Sequence, residues 1–373
     1  MVIGYDGKRL ICNDDKTSRY AQSLLAALSV VYKDDLFLIY SPKQSGSKKV
    51  NTLFNRGSIR MKGPKHPVWG IWWRSRRGIL SRARRHGAVV FHGLAGMLPS
   101  AMSSSHMPGV VSIADPDFSD LGWKRAFYRN RAAQACKVAK CIVTPTESDK
   151  QAIISKFGPD PERIQVVHPC CHERFHEHVD QQDKDNAKTK YELPHRFLLY
   201  YGPMTKAAGL KKMVDMLHAI DDKHIVLVLI GRRTEYYREE VKDYAHSLGV
   251  RHRLMHFDKV HRADIPTIIR MSEAVIYADT ENTCPMSIVE AHTCDTPVVA
   301  FNTPSAREFG GDAVLLGDDA EGMARQVDAL LQDEQFRQQV SAASTANAER
   351  FSQKAIADQM MGIYRQLFKS SRS

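Results

Sequence analysis

A short polar loop followed by a helix is the segment best suited to chemistry. Residues 279–301 follow an apolar strand and contain a polar loop, a helix that we expect to begin with Pro285 in its first turn, and a second strand. Proline suits a first helical turn because its missing N–H would have no intrahelical acceptor there. The free backbone N–H groups and the positive end of the helix dipole favour a phosphate group at three residues: Met286, Ser287 and Ile288.

Glu290 lies one turn further along this helix, where its carboxylate can accept hydrogen bonds from ribose hydroxyls. A helix N-terminus with a solvated glutamate would show the same pattern. The segment therefore indicates a nucleotide site without excluding an ordinary surface helix.

The charge of the chain is concentrated in one basic stretch. The net charge is +11, and residues 36–114 contain 13 Lys or Arg but no Asp or Glu. Tryptophan and arginine together favour the headgroup boundary of an anionic membrane. We therefore expect membrane contact from Trp72, Trp73, Arg74, Arg76 and Arg77. Tryptophans buried beneath a plain basic helix are the alternative, and no nucleic-acid partner is expected because no known nucleic-acid-binding module is apparent.

Composition excludes several classes of protein. The chain has 373 residues, of which 43% are hydrophobic and 25% charged, as in ordinary globular proteins. It has no apolar run of about 18 residues, the length that a spanning helix needs. Its first residues lack the order of a secretory signal, and its seven scattered cysteines fit reduced thiols. We expect a cytoplasmic protein, peripheral on the inner face of the membrane.

Apolar strands alternate with helices in two successive series. This pattern predicts an α/β protein with two doubly wound, Rossmann-like parallel sheets that face each other across a cleft, where such folds bind ligands. We expect an N-terminal domain at 1–175, a polar linker at 176–195, a C-terminal domain at 196–352, and a last helix at 353–373 that packs back toward the N-terminal domain.

Several segments, in the right order, resemble the family 4 (group 1) retaining glycosyltransferases of the GT-B fold. They include IGYDGKRL, FHGLAGMLP, CIVTPTESDKQAIISKFG, RFLLYYG, CPMSIVEAHTCDTPVVAF and SAREFGGDAVLL. The resemblance implies transfer of a sugar from a nucleotide-sugar donor to a hydroxyl of a glycan or lipid-linked acceptor. It implies no cofactor and no metal.

The resemblance also implies roles for individual residues. Glu290 would hold the ribose, and Glu281 or Asn282 the donor sugar, while Asp115 would lie on the sugar or acceptor side. The diphosphate and its surroundings would involve the N-terminus of the helix at Met286 to Ile288, together with Gly202, Lys206 and Arg232.

This sequence departs from the family pattern at charged positions. Ala114 stands where members present a histidine, and the region after Gly202, where members present two diphosphate-binding cations, has the uncharged residues Pro203, Ala207 and Ala208. Asn282 replaces the first of two glutamates. A GT-B pseudoenzyme that acts as a binding or scaffold protein is therefore the alternative.

Two sets of polar residues superficially indicate a metal. Asp115-Pro116-Asp117 has the form D-x-D, and histidines and cysteines cluster at 168–178 without paired C-x2-C spacing. We expect neither to bind a metal ion.

Overall fold

The computed structural model describes residues 1–7, 10, 15–41, 57–63, 78–279 and 284–371. The chain divides into two compact units, one formed by residues 1–170 with 351–373 and the other by residues 171–350. Within the described ranges, no helix combines the length and the apolar character needed to cross a membrane.

The first unit contains a parallel sheet with the strand order β3-β2-β1-β4-β5-β6-β7. Its strands are short and apolar, as expected where both faces of a sheet are covered. Their bounds are β1 Val2–Asp6, β2 Leu36–Tyr40, β3 Ile59–Lys62, β4 Val90–Gly93, β5 Gly109–Ser112, β6 Cys141–Thr144 and β7 Ile164–Val166.

Helices cover both faces of this sheet. Helices α1 (Lys16–Val31) and α13 (Gln353–Ser370) share one core with the sheet. Helices α2 (Gly78–Arg85), α3 (Arg125–Val138) and α4 (Glu147–Phe157) bury apolar residues in the other core. Successive strand residues alternate between the two cores, as the pleat requires.

A buried polar chain joins α13 to the first sheet. The His92 ring contacts the Tyr364 hydroxyl at 2.7 Å through Nδ1 and the Ser112 hydroxyl at 2.7 Å through Nε2. The Tyr5 hydroxyl lies 3.1 Å from that of Tyr364. Burial lowers the pKa of His92 to about 3, so this histidine is neutral at physiological pH.

The second unit contains a parallel sheet with the order β10-β9-β8-β11-β12-β13. Its strands are β8 Phe197–Tyr201, β9 Val226–Ile230, β10 Leu254–Phe257, β11 Ala274–Tyr277, β12 Val298–Phe301 and β13 Val314–Gly317. The order reverses between β8 and β11, which is the switch point where doubly wound sheets bind ligands.

Helices also surround the second sheet. They are α5 Gln181–Tyr191, α6 Leu210–Ala219, α7 Lys242–Ser247, α8 Ile265–Met271, α9 Met286–Thr293, α10 Pro304–Gly310, α11 Ala320–Gln332 and α12 Glu334–Ala348. Apolar residues of α6 and α11 pack with the strands in one large core. The two parallel-sheet α/β units confirm the predicted Rossmann-like fold class.

The predicted linker is partly helical. Residues 176–195 contain α5, which belongs to the second unit and begins with a capping box in which Asp180 and Asp183 accept hydrogen bonds from each other's backbone N–H groups. Of its residues only Ala187 is buried, so the sequence shows almost no apolar periodicity. Because it lacks a hydrophobic face, this helix has the sequence pattern of a polar linker.

The sequence also predicts a helix from Trp123 to Val138, and the starts of this helix and of the helix with Pro285 in its first turn both differ from the structure. Trp123 belongs to a 3-10 segment, Ser119–Lys124, in which Gly122 has a positive φ, and regular helix begins only at Arg125. Pro285 is the N-cap of α9 rather than a residue of its first turn.

Candidate functional site

The candidate site lies at the switch point of the second unit. Strand β8 ends at Tyr201, and its parallel neighbour β11 leads into α9, which carries Glu290. Because the carboxyl ends of parallel strands meet at one edge of a sheet, residues 89 positions apart come together there.

Glu290 is held by the last residue of β8. The Tyr201 hydroxyl donates a hydrogen bond of 2.8 Å to Oε2 of Glu290 and lies 3.2 Å from the backbone oxygen of Ser287. Glu290 is half-buried, so it keeps a path to solvent. The tyrosine therefore fixes one of the two carboxylate oxygens.

Burial controls the charge of this pair. Burial raises the pKa of Glu290 from 4.5 to about 7, although the Tyr201 hydrogen bond and the positive charge of Arg174 lower it. Burial also raises the pKa of Tyr201 well above 10, and the adjacent carboxylate contributes to this rise. The site thus holds a carboxyl group that changes charge near neutral pH, beside a neutral phenol.

The N-terminus of α9 is less open to phosphate than its sequence predicts. The Met286 N–H donates to the Cys284 carbonyl at 2.9 Å, and the Ile288 N–H donates to the Pro285 carbonyl at 3.0 Å. These tight turns occupy two of the three predicted phosphate donors. Ser287 retains a backbone N–H for which the described residues provide no acceptor. Of the three predicted phosphate donors, we therefore retain the Ser287 N–H.

The loop after β8 approaches the site closely. A Cβ atom added to Gly202 would lie 2.8 Å from the Tyr200 hydroxyl, and one added to Gly209 would collide with the carbonyl of Ala278, after β11. Gly209 also has a φ of +72°, which favours glycine. These glycines let the loop 202–209 pack against the ends of the central strands.

The predicted diphosphate-binding cations are at the surface of the second unit. Lys206 lies in the loop 202–209 and Arg232 follows β9, and both side chains are exposed. Ala208 is buried and Ala207 half-buried, so neither position supplies a charge. Assignment of Lys206 and Arg232 to the diphosphate stays a prediction.

Asp115 lies in the first unit, after β5, and stabilises its own loop. Its carboxylate accepts hydrogen bonds from the N–H groups of Asp117 and Ser119, at 3.0 and 2.7 Å. Asp115 also lies close enough to Asp149 to help raise the pKa of that carboxyl to about 6, a rise that is due mainly to burial. The loop contacts give Asp115 a structural role, and its predicted role toward the sugar or acceptor stays a prediction.

Asp117 and His168, which belong to the two sets with metal-like spacing, contact other groups of the protein. Asp117 pairs with Lys156 at 2.6 Å and with Arg125 at 3.0 Å, and these cations hold the pKa of its carboxyl below the usual range. His168 contacts the carbonyl of Pro145 at 2.8 Å. No cluster of three or more His, Cys, Asp or Glu side chains suited to a metal ion occurs within the described ranges.

Some predicted site residues lie outside the described residues. They are the two sugar-side candidates, Glu281 and Asn282, and the five membrane candidates, Trp72, Trp73, Arg74, Arg76 and Arg77. Their roles stay predictions from the sequence.

Sequence reasoning missed two residues beside Glu290. Tyr201 has the pattern of a core residue in an apolar strand, and only the order of strands shows that it reaches Glu290. Arg174 lies in the segment after the first unit, where the sequence has no periodicity, yet its guanidinium acts on the Glu290 carboxylate. The sequence feature that could have indicated Tyr201 as a site residue is its hydroxyl at the carboxyl end of a central strand.

Comparison with known proteins identifies relatives of the second unit and of most of the chain. Residues 181–346 match the model of the family described as glycosyl transferases group 1. D-inositol 3-phosphate glycosyltransferase 1 of Catenulispora acidiphila is 23% identical over 339 residues, which cover 86% of this chain and 76% of the relative. O-antigen chain mannosyltransferase B of Escherichia coli is 25% identical over 324 residues, covering 83% and 80% of the two chains.

The fold has solved counterparts. HepE of Anabaena, whose crystal structure contains UDP, superposes with a TM-score of 0.73 over 98% of this chain and 100% of its own, at 17% sequence identity. This likeness shows the fold, that of GT-B glycosyltransferases with two Rossmann-like domains. The second unit is thus similar in sequence to glycosyl transferases group 1, most of the chain is similar to named glycosyltransferases, and the whole chain shares the GT-B fold.

Proposed function

We propose that the chain transfers a sugar from a nucleotide-sugar donor to a hydroxyl of a glycan or lipid-linked acceptor, with retention of configuration and without a metal ion. The observation that carries the donor assignment is the Glu290 carboxylate, which Tyr201 holds at the switch point of the second sheet. The UDP bound to HepE supports a nucleoside diphosphate as part of the ligand.

The two oxygens of Glu290 have different tasks in this proposal. Oε2 accepts the Tyr201 hydrogen bond, which limits rotation of the carboxylate. The other oxygen accepts hydrogen bonds from the ribose hydroxyls. A ribose diol donates best to an ionised carboxylate, so donor binding depends on deprotonation of Glu290.

The diphosphate carries the negative charge that develops as the sugar leaves. The exposed cations Lys206 and Arg232 and the Ser287 N–H are the groups of the second unit that we assign to it. Positioning and charge stabilisation by these groups replace the Lewis acid that other transferases use. The ion pairs of Asp117 support this metal-free proposal, because they occupy the D-x-D carboxylate.

Isothermal titration with UDP, GDP and their sugars tests the donor site without knowledge of the acceptor. We expect Glu290→Ala to weaken nucleotide-sugar binding about 10- to 100-fold, as for loss of a charged hydrogen bond. Glu239→Ala, an exposed glutamate in the same unit, is the matched control and should bind normally. Equal affinities in the wild type and Glu290→Ala would contradict the assignment.

The pseudoenzyme alternative rests on the uncharged positions near the donor loop, where Pro203, Ala207 and Ala208 supply no cation. It predicts nucleotide binding without sugar transfer to any acceptor. Release of UDP or GDP that depends on an added glycan or lipid-linked acceptor would eliminate it.

A further inference from the structure

A second basic segment of the first unit is free of acids. Residues 121–146 contain no Asp or Glu, and they contain six cations: Lys124, Arg125, Arg129, Arg131, Lys137 and Lys140. This segment includes all of α3 and lies outside the stretch 36–114 that the charge pattern first indicated.

Two large apolar side chains are exposed in this segment. Trp123 is 89% exposed and Phe127 is 61% exposed, and within the described ranges these are the large hydrophobic residues that reach the surface. They lie four positions apart, Trp123 in the 3-10 segment Ser119–Lys124 and Phe127 in the first turn of α3. Ala132, Ala135 and Cys136 of α3 are buried in the core of the first unit, whereas Phe127 is on the outward side of the helix, where its ring contacts Tyr128 of the same helix.

Cations lie beside the exposed aromatic rings. The Lys124 ammonium is 5.2 Å from the centre of the Trp123 ring, and Arg129 is exposed two positions beyond Phe127. Arg125 is paired with Asp117, so part of its charge is already compensated. The local surface thus combines apolar rings with an excess of positive charge.

The basic helix α2 extends this surface. Helices α2 and α3 pack in the same core on one face of the first sheet. The last turn of α2 carries Arg82, Arg84 and Arg85, and the helix has no acidic residue. Helices α2 and α3 therefore place cations without acids on this side of the unit, whereas α4, in the same core, carries Glu147 and Asp149 in its first turn.

We infer that the end of the 3-10 segment and the first turn of α3 insert Trp123 and Phe127 into the surface of an anionic lipid bilayer. Interfacial helices combine aromatic residues with lysine and arginine, because the rings enter the headgroup boundary while the cations attract anionic lipid. The Phe127 side chain has no polar atom that could form a hydrogen bond with water, so hydration does not explain its exposure. The positive charge around it complements an anionic lipid surface. This inference does not depend on sugar transfer, so either proposal can fail alone.

Vesicle co-sedimentation of the full chain tests the inference. Vesicles of phosphatidylcholine alone are compared with vesicles that also contain phosphatidylglycerol, over a series of salt concentrations. We expect binding to the anionic vesicles and little to the neutral ones, with affinity falling as salt screens the charges. Binding of equal strength to both vesicles, or to neither, would overturn the inference.

Variants separate the apolar and electrostatic contributions. Trp123→Ser with Phe127→Ser should reduce the partition coefficient about tenfold or more at high salt, because it removes the apolar area that enters the bilayer. Lys124→Ser with Arg129→Ser should reduce binding mainly at low salt. Lys188→Ser with Lys259→Ser, in the second unit, removes the same charge and should leave vesicle binding unchanged.

Three further readouts distinguish membrane contact from misfolding and from self-association. Nucleotide-sugar titration and the thermal unfolding midpoint should be unchanged in the Trp123 and Phe127 double variant, since both side chains are exposed. Vesicle binding that persists at full strength in this double variant would contradict the inference. So would a wild-type dimer in analytical ultracentrifugation that the double variant abolishes, since the aromatic pair would then be a contact between copies.

Discussion

Replacement of Glu290 by glutamine should stabilise the protein while it weakens the proposed site. The carboxylate is held at a position where burial raises its pKa from 4.5 to about 7. The folded state therefore binds a proton that the unfolded state has already released between these pH values. By linkage, the free energy of unfolding falls as pH rises through this interval, and the loss is complete above about pH 7.

The size of the effect follows from the pKa. A pKa that rises by one corresponds to about 1.4 kcal/mol. The rise in the pKa of Glu290 therefore lowers the free energy of unfolding by about 3 kcal/mol at alkaline pH. Glu290 is partly exposed, so solvent screening reduces this value, and we expect about 1 to 3 kcal/mol. Glutamine does not ionise but can accept the Tyr201 hydrogen bond. Glu290→Gln should therefore raise the free energy of unfolding by this amount at about pH 8, and by little at about pH 5.

Guanidinium unfolding followed by far-ultraviolet circular dichroism measures this difference. The two units need not unfold together, so the comparison uses the transition that belongs to the second unit, measured for both proteins at each pH. Other titrating groups cancel in the difference between wild type and variant. Glu239→Gln makes the same chemical change at an exposed position of that unit and is the matched control.

The reasoning is refuted if Glu290→Gln is no more stable than the wild type at about pH 8, or if its advantage is as large at about pH 5. The same variant should bind nucleotide sugars more weakly, because an amide is a poorer acceptor for ribose hydroxyls than a carboxylate. Gain of stability with loss of binding is typical of a residue kept for function rather than for folding.

Three other predictions concern the site and the first unit. Tyr201→Phe removes a hydrogen bond that lowers the pKa of Glu290, so the pH at which nucleotide-sugar binding is half-maximal should rise above that of the wild type in titration calorimetry; an unchanged midpoint would argue against the pair. Tyr364→Phe leaves Nδ1 of the buried His92 without its partner, and should lower the free energy of unfolding of the first unit by about 1 to 3 kcal/mol in denaturant titration, whereas a neutral result would mean that the contact is dispensable. Sugar transfer should persist in EDTA, and activity that EDTA abolishes and manganese restores would overturn the metal-free mechanism.

The sequence alone determined the elements whose signals are local. The strand Ala274–Tyr277 is a continuous apolar run, and the helix Met286–Thr293 was predicted from the sequence, although with Pro285 placed in its first turn rather than at its N-cap. A buried parallel strand has a continuous apolar run, and a proline marks the entry to the helix, so neighbouring residues carry enough information. Helix α5 was missed because a helix with one buried residue has no such periodicity.

Tertiary structure decided the chemistry around Glu290. Strands β9 and β10 come between β8 and β11 along the chain, yet β8 and β11 are neighbours in the sheet, and this order places the Tyr201 hydroxyl 2.8 Å from the Glu290 carboxylate. The raised pKa follows from burial, which no local pattern records. The turn before α9 occupies the N–H groups of Met286 and Ile288. This turn and the tertiary contacts together determine which polar groups of the site a ligand can reach. The sequence could therefore place a glutamate on the right helix, but its charge and its partner depend on residues that only the folded sheet brings together.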